Sequence, residues 1–353
     1  MLMLYGIFFK NKHFPTLLWI PLAFFSIIFF LGFQVDFYPI NTVGRLFTAW
    51  IGAIVLCMFV SNGLSLRFII LCLALVVIAN FVAYAIGYDA RSIQLAQADS
   101  IYQYAQVKRV TALAGQTNLL VVVVYIFPFS LFLLRKKIGT NSLIGCLALG
   151  TVFMILTASR STIPFNFLLL IFGCLFFIKS PFIKISVTLI GTLVLLLITY
   201  IILTIPINTM IENSNFADIG IVNRTLEALR SESGSVEDRF SLATGFSHYF
   251  FERPITGYGP AQFEVEVGGG LYAHNNTAEL LINYGLLGTL VFYSMYTIIL
   301  FNIINFPRLN YFLVAPLVFL IASDFVYVTH YDRPLVLLIC LLLVTSSMRY
   351  RRV

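Results

Sequence analysis

The chain has 353 residues, of which 60% are hydrophobic and only 10% charged, with a mean hydropathy of +0.95. That balance excludes an ordinary soluble domain and defines an integral membrane protein. No alternating apolar pattern competes with the long apolar runs, so the spans are helices rather than barrel strands.

Taken in chain order, ten spans are expected at 14 to 33, 46 to 62, 67 to 87, 117 to 134, 141 to 158, 163 to 178, 185 to 205, 277 to 305, 311 to 329 and 334 to 348. A helix crosses the hydrocarbon core with about 17 to 25 residues. The sixth and tenth runs are therefore short, and the eighth is long enough to tilt or to begin outside the bilayer. The first run lacks a small-residue cleavage site and reads as a retained helix. The expected organisation is an all-α, polytopic membrane bundle. Helices 1 to 7 occupy residues 1–205, one large outward-facing helical loop occupies 206–276, and helices 8 to 10 occupy 277–353.

Orientation follows from charge. With the N-terminus in the cytoplasm, the inner side carries Lys10, Lys12, Arg67, Arg135, Lys136, Lys137, Lys179, Lys184, Arg308, Arg349, Arg351 and Arg352, without an acidic residue. Both termini are then cytoplasmic by the positive-inside rule, with His13 on the same side. Topology accounts for the net charge of +7. The basic residues are scattered, so nucleic acid is not an expected partner. All five cysteines, Cys57, Cys72, Cys146, Cys174 and Cys340, fall inside spans and read as small packing residues rather than disulfides or metal ligands.

Two segments on the outer side are polar: Tyr88 to Thr117, which contains the helix-prone RSIQLAQADSIYQYAQVKRV, and Pro206 to Asn276. Within the second, SGSVEDRFSLATGFSHYFFERP reads as an amphipathic helix. Ser235 caps it, Asp238 is the capping-box partner, and Pro254 ends it. A TGYGP turn and a flexible Gly268 to Gly270 run lead to LYAHNNTAELLINYGLLG at the head of the eighth span. There Asn276 reads as the N-cap, with Glu279 returning a hydrogen bond to it. Glu279 is thus open to two readings, a helix cap or a direct catalytic role. His274 is left unexplained by capping, at a helix start whose dipole favours an anion.

Arg160, at the outer end of the fifth span, reads either as an arginine reaching the interface or as a functional cation held near the bundle. Asp324 falls inside the ninth span, and His330, Asp332 and Arg333 read as interfacial anchors in a short loop. The chain has no His-Glu-x-x-His zinc motif, no Walker loop and no Gly-x-Ser-x-Gly elbow, so neither metal nor cofactor is expected. What remains is one histidine and several outward arginines. Arginine forks bind phosphate oxygens, and neutral histidine takes a proton from a hydroxyl near pH 7. A lipid-linked phosphate donor with a hydroxyl acceptor uses both.

Four pieces in this order resemble the O-antigen polymerase and O-antigen ligase superfamily of multispanning glycan transferases. They are RVTALAGQTN with Arg109, Gly115 and Asn118, then Ser159-Arg160, then DRFSLATGFSHYFFERPITGYGPAQF, then AHNNTAELLINYGLLG. The resemblance runs from about Arg109 to Gly288, and many relatives carry about twelve spans. It implies a glycosyltransferase of the bacterial inner membrane, active on the periplasmic face and independent of metal. Its donor would be an undecaprenyl-diphosphate-linked oligosaccharide. It further implies Arg160 and Arg239 as diphosphate binders and His274 as the general base. Arg109, Asn275, Glu279, Arg253, Gly257 and Gly259 would contact substrate, and a chain-length regulator is a possible protein partner. The acceptor, another lipid-linked repeat unit for a polymerase or the lipid A core for a ligase, is not separated by the motifs. The modest length and the 35 phenylalanines favour polymerase by association. A protein O-glycan transferase is a third option. A flippase for the same lipid-linked glycan is the reading from another class, but transporters place charges at the midplane and show paired broken helices or internal repeats, whereas here the polar residues gather on one side and no repeat is seen.

Overall fold

The computed structural model of the chain describes residues 16–32, 40–62, 64–88, 113, 117–134, 139–157, 162–177, 248–267, 273, 275–306, 311–325 and 327–348. Every regular element among them is helical, so the chain is an all-α polytopic membrane protein. The helices are α1 (Trp19–Gly32), α2 (Ile40–Ser61), α3 (Leu66–Ala85), α4 (Thr117–Leu131), α5 (Thr140–Thr157), α6 (Thr162–Phe177), α7 (Asn276–Asn305), α8 (Val314–Asp324) and α9 (Arg333–Met348). They coincide with nine of the expected spans. The expected span at 185 to 205 lies outside the described residues. By length and composition, four helices (α2, α3, α5 and α7) are long and apolar enough to cross a membrane, and five others are shorter apolar helices. The described residues thus hold fewer full-length spans than the ten expected.

Lipid explains why these sequences coil. The run Val121 to Val124 in α4 is β-branched and a weak helix former in water. In hydrocarbon, a helix is the way a lone segment satisfies all its backbone groups. The same setting tolerates Pro128 inside α4.

The chain divides into two compact units, one drawn from Met1–Ile69 and Ser241–Val353, the other from Ile70–Phe240. In the second, α4, α5 and α6 pack through small residues and one tyrosine. Tyr125 donates its hydroxyl to the Thr162 carbonyl at 3.1 Å, and its ring meets that of Phe165 at 5.4 Å. A Cβ on Gly150 would stand 2.4 Å from the Asn166 side-chain oxygen, so this glycine sets the approach of α5 to α6.

The first unit is built from α1, α2, α7, α8 and α9 around buried rings. Phe24 lies 4.9 Å from Trp50, 5.6 Å from Tyr284 and 5.4 Å from Phe292, centroid to centroid. Edge and tilted contacts of this kind add about 0.5 to 1.5 kcal/mol per pair beyond their burial.

Helix α7 is not one rod. At Gly285 the backbone takes φ 61° and ψ −163°, far from helical values. In an unbroken helix, Thr277 and Tyr293 would be about 24 Å apart along the axis. Here the Thr277 and Tyr293 hydroxyls stand 2.7 Å apart. The arm 276–284 therefore folds back beside the arm 286–305. The eighth span, expected to tilt or to start outside the bilayer, instead turns sharply on a glycine.

Helix α8 ends at Asp324, five residues short of the expected end of the ninth span. Its C-terminal side chain gives the reason: the Asp324 carboxylate accepts the Thr329 hydroxyl, which closes the chain into a turn. The amphipathic helix expected from Ser235 is described only from residue 248, where it is helical to 252, just before Pro254. Its start and the glycine run at 268 to 270 lie outside the described residues.

Candidate functional site

The break in α7 is filled by another piece of chain. In a continuous helix, the Ile282 and Asn283 carbonyls would accept from the Leu286 and Leu287 amides. Here Ile282 and Asn283 accept instead from Tyr258 and Gly259 N–H, at 2.9 and 2.8 Å. Leu286 and Leu287 N–H turn to the carbonyls of Pro254 and Ile255, at 2.8 and 3.1 Å. The segment 254–259 is thus inserted into the hydrogen-bond ladder of the helix. Two glycines permit this. A Cβ on Gly257 (φ +68°) would stand 2.5 Å from the Ile282 oxygen, and one on Gly285 would stand 2.3 Å from the Ile255 oxygen. Both also hold positive φ, which favours glycine.

The folded-back arm carries a polar stripe. Asn276, Glu279 and Asn283 recur at helical spacing and are fully buried. Each has a specific partner. Asn275, not Asn276, is the N-cap, its side-chain oxygen accepting from the Thr277 and Ala278 amides at 2.9 and 3.1 Å. This corrects the expected cap by one residue. Asn276 Oδ1 is occupied elsewhere, by the amide of His330 at 3.2 Å and by its Nδ1 at 2.7 Å.

Glu279 does not return to a cap amide. Its Oε2 accepts the Ala273 N–H at 2.9 Å, and so holds the chain just before the helix. Asn283 bridges three elements. Its oxygen accepts the Phe263 amide at 2.7 Å and its Nδ2 donates to the Tyr331 hydroxyl at 2.8 Å. Tyr331 also accepts the Ala261 amide at 3.1 Å. With both acceptor positions used, the Tyr331 proton is left for the nearby Glu279 carboxylate, with which it interacts. Phe263, Ala273 and Ile282 form a small apolar cluster beside this network, joined by Tyr249, Phe250, Tyr258, Val267 and Ala278.

His330 is the largest departure from the sequence reading. Expected as an interfacial anchor, it is fully buried, with its ring 4.1 Å from that of Tyr331 and 5.5 Å from that of Tyr284. Its carbonyl accepts the Trp50 indole N–H at 3.1 Å. Burial pushes its imidazole down to about 3, so it is neutral. Asp324 accepts neutral donors at Oδ1, while its buried Oδ2 has no direct hydrogen bond among the described residues. It takes the Thr329 hydroxyl and that of Tyr296 at 3.4 Å, with Asn276 and Tyr293 also interacting.

The rim of the loop is charged. Tyr258 donates to Glu252 Oε2 at 2.5 Å, and His248 Nε2 lies 3.2 Å from Glu252 Oε1. The Arg253 guanidinium sits over the Tyr258 ring at 4.8 Å, a cation–π arrangement. Burial of the Tyr258 phenol, then the Glu252 carboxylate, push it up to about 12. Burial raises Glu264, and raises Asp332 to about 7, while Arg45 opposes both shifts.

Of the residues expected at the site, the structure brings Asn275, Glu279, Gly257 and Gly259 into one assembly at the broken helix, with Arg253 exposed on its loop. His274, Arg239, Arg160 and Arg109 lie outside the described residues. Asn283, Tyr331 and His330 were missed. An amide four residues after a carboxylate in an apolar helix was the available signal for Asn283.

These features define a multi-pass membrane protein whose loop is built into a broken helix around buried polar side chains. The model of the O-antigen ligase family matches residues 144–293, less than half of the 353 residues. The match supports the O-antigen ligase and polymerase superfamily, and with it glycan processing of that type. No curated protein matches the sequence significantly.

Proposed function

We propose that the protein polymerises lipid-linked oligosaccharide repeat units on the periplasmic face of the inner membrane. A hydroxyl of the acceptor sugar attacks the anomeric carbon of the donor glycan, and the bond to undecaprenyl diphosphate breaks. His274 takes the hydroxyl proton. Arg160 and Arg239 hold the leaving diphosphate, aided by the positive N-terminal end of the arm 276–284, with Arg109 and Arg253 as further contacts. No metal is invoked, because the arginines carry the counter-charge.

The supporting observation is the fixing of the chain on either side of His274. The Ala273 amide is held by Glu279, and Asn275 is locked as the cap. In this reading Asn275 and Glu279 orient the base, while Gly257 and Gly259 hold the loop to the helix. A base held by its neighbours loses less freedom on reaching the transition state.

Replacing His274 or Arg239 by Ala tests the reading, since losing one preorganised group commonly costs about 10²-fold or more in rate. Each variant should lose long-chain glycan while inserting at wild-type level. Unchanged glycan length in both sinks the assignment. The family match, to the O-antigen ligase model, does not separate this from a second reading, transfer of the glycan to the lipid A core. Gene deletion separates the two. Core bearing a single repeat unit indicates a polymerase, and bare core with polymer retained on the lipid carrier indicates a ligase. Lipid-linked substrate stranded on the cytoplasmic face would indicate a flippase instead.

A further inference from the structure

We propose that the turn 251–255 is a bilayer anchor, in which Phe251 and Ile255 insert among lipid acyl chains at one edge of the hydrocarbon core. The inference is independent of the chemistry assigned above. Phe251 is 75% exposed and Ile255 66% exposed, although the adjacent Phe250 packs inward against the Phe263 cluster. Two large apolar side chains held outward on a rigid turn need a partner.

The backbone of the turn says where they are. Pro254 and Ile255 accept from Leu286 and Leu287 N–H, so the turn is fixed to the first residues of the arm 286–305. That arm has 20 residues and a length of about 30 Å, the thickness of a bilayer's hydrocarbon core. Leu286 therefore marks an edge of that core. Its lipid-facing side continues the apolar surface of the turn: Leu286, Leu287 and Leu290 are 45%, 46% and 68% exposed.

The turn is also equipped to enter lipid. The carbonyls of Arg253, Pro254 and Ile255 are all taken, the first by the Gly257 amide at 3.0 Å, and Pro254 has no N–H to satisfy. Lipid-exposed irregular backbone does not occur inside the hydrocarbon region, so the backbone of the turn stays at its edge and the Phe251 and Ile255 side chains reach in. The exposed neighbours Glu252, Arg253 and Thr256 are polar, which suits an edge position and not the midplane. A depth of about 5 to 10 Å is typical of such interfacial segments.

The chain's two tryptophans make the test direct. Trp19 is 59% exposed, whereas Trp50 is fully buried and gives a constant background. In a Trp19→Phe background, Phe251→Trp and Ile255→Trp are reconstituted separately into phosphatidylcholine nanodiscs, plain or brominated high or low on the acyl chain. Glu266→Trp, exposed on the same segment, is the reference. The expected result is a blue-shifted added emission for residues 251 and 255, quenched more by shallow than by deep bromines, with Glu266→Trp unquenched. Water-like emission untouched by either lipid overturns the proposal. So does emission that resists bromine and shifts with protein concentration, which would show a second copy covering the turn. Two separate substitutions keep the test decisive if one variant fails to insert.

Discussion

Gly285→Ala tests the broken helix at its weakest point. The backbone there, at φ 61° and ψ −163°, belongs to a region that is essentially glycine-only and costs about 1 to 3 kcal/mol for other residues. The added methyl would also stand 2.3 Å from the Ile255 oxygen and 2.7 Å from the Thr256 nitrogen, both backbone atoms with no rotamer to yield. The chain's escape is to straighten the helix and expel the loop. That breaks the four loop–helix hydrogen bonds and recovers two within the helix, a net loss of about 2 kcal/mol at about 1 kcal/mol each. The variant takes the cheaper of the two routes, retained strain or lost bonds, so the destabilisation is about 2 kcal/mol, which lowers the apparent melting temperature in detergent by on the order of 5 °C. Gly257→Ala should behave similarly, because its Cβ would meet the Ile282 and Asn283 backbone. Gly52→Ala, in α2 with nothing within 4 Å of the new Cβ, is the control and should be neutral or slightly stabilising. If Gly285→Ala melts with wild type and Gly52→Ala, the inserted loop is not a structural element and the reasoning fails.

Tyr331→Phe removes the acceptor of the Ala261 amide and of Asn283 Nδ2, and should destabilise by about 1 to 3 kcal/mol; a thermal melt indistinguishable from wild type would show the network to be unimportant. His330 gives a pH signature. Its imidazole is held at about 3 against an ordinary 6.5, so between those values the unfolded chain binds a proton that the folded chain refuses. The stabilisation is complete above pH 6.5 and is lost as pH falls toward 3, reaching about 2 kcal/mol by pH 5. His330→Gln should therefore lose less stability than wild type between pH 7 and pH 5, read as the change in melting temperature. Equal losses would place the imidazole in water.

The spans were legible because hydropathy alone decides which segments enter lipid. Nine expected runs coincide with described helices to within a few residues at most ends; α2 begins earlier than expected, at Ile40, and α8 ends early, where a side-chain bond from Thr329 to Asp324 closes the chain. The break at Gly285 was not legible. Nothing in NYGLL forbids a continuous helix, and the alternative is stabilised by hydrogen bonds from a segment about 30 residues earlier. The cap shows the same limit on a smaller scale. His-Asn-Asn offers two equivalent amides, and the choice falls to Asn275 because His330, far along the chain, takes the oxygen of Asn276. His330 itself was misread because a short polar loop between two spans is usually at the surface. Here the loop is held inward by the hydrogen bonds of His330 to Asn276 on the folded-back arm and to the Trp50 indole.

The folded-back arm explains why buried polar residues persist in so apolar a chain. Polar side chains at membrane depth are disfavoured unless they face the protein and are paired. In a straight helix, Asn276, Glu279 and Asn283 would line one side of a rod some way from the loop at 261–263. Folding at Gly285 brings that side against the segment before the helix and against Tyr331, so Asn283 and Glu279 accept the amides of Phe263 and Ala273 while Tyr331 accepts that of Ala261. The helix break and the polar stripe are thus one device. The glycine aims the stripe, and the stripe holds both ends of the loop that leads into His274. A base supplied by that loop would be positioned by the membrane helix itself, not by the loop's own weak preferences. On this account Glu279 acts through the Ala273 backbone, and its carboxylate need never touch the sugar.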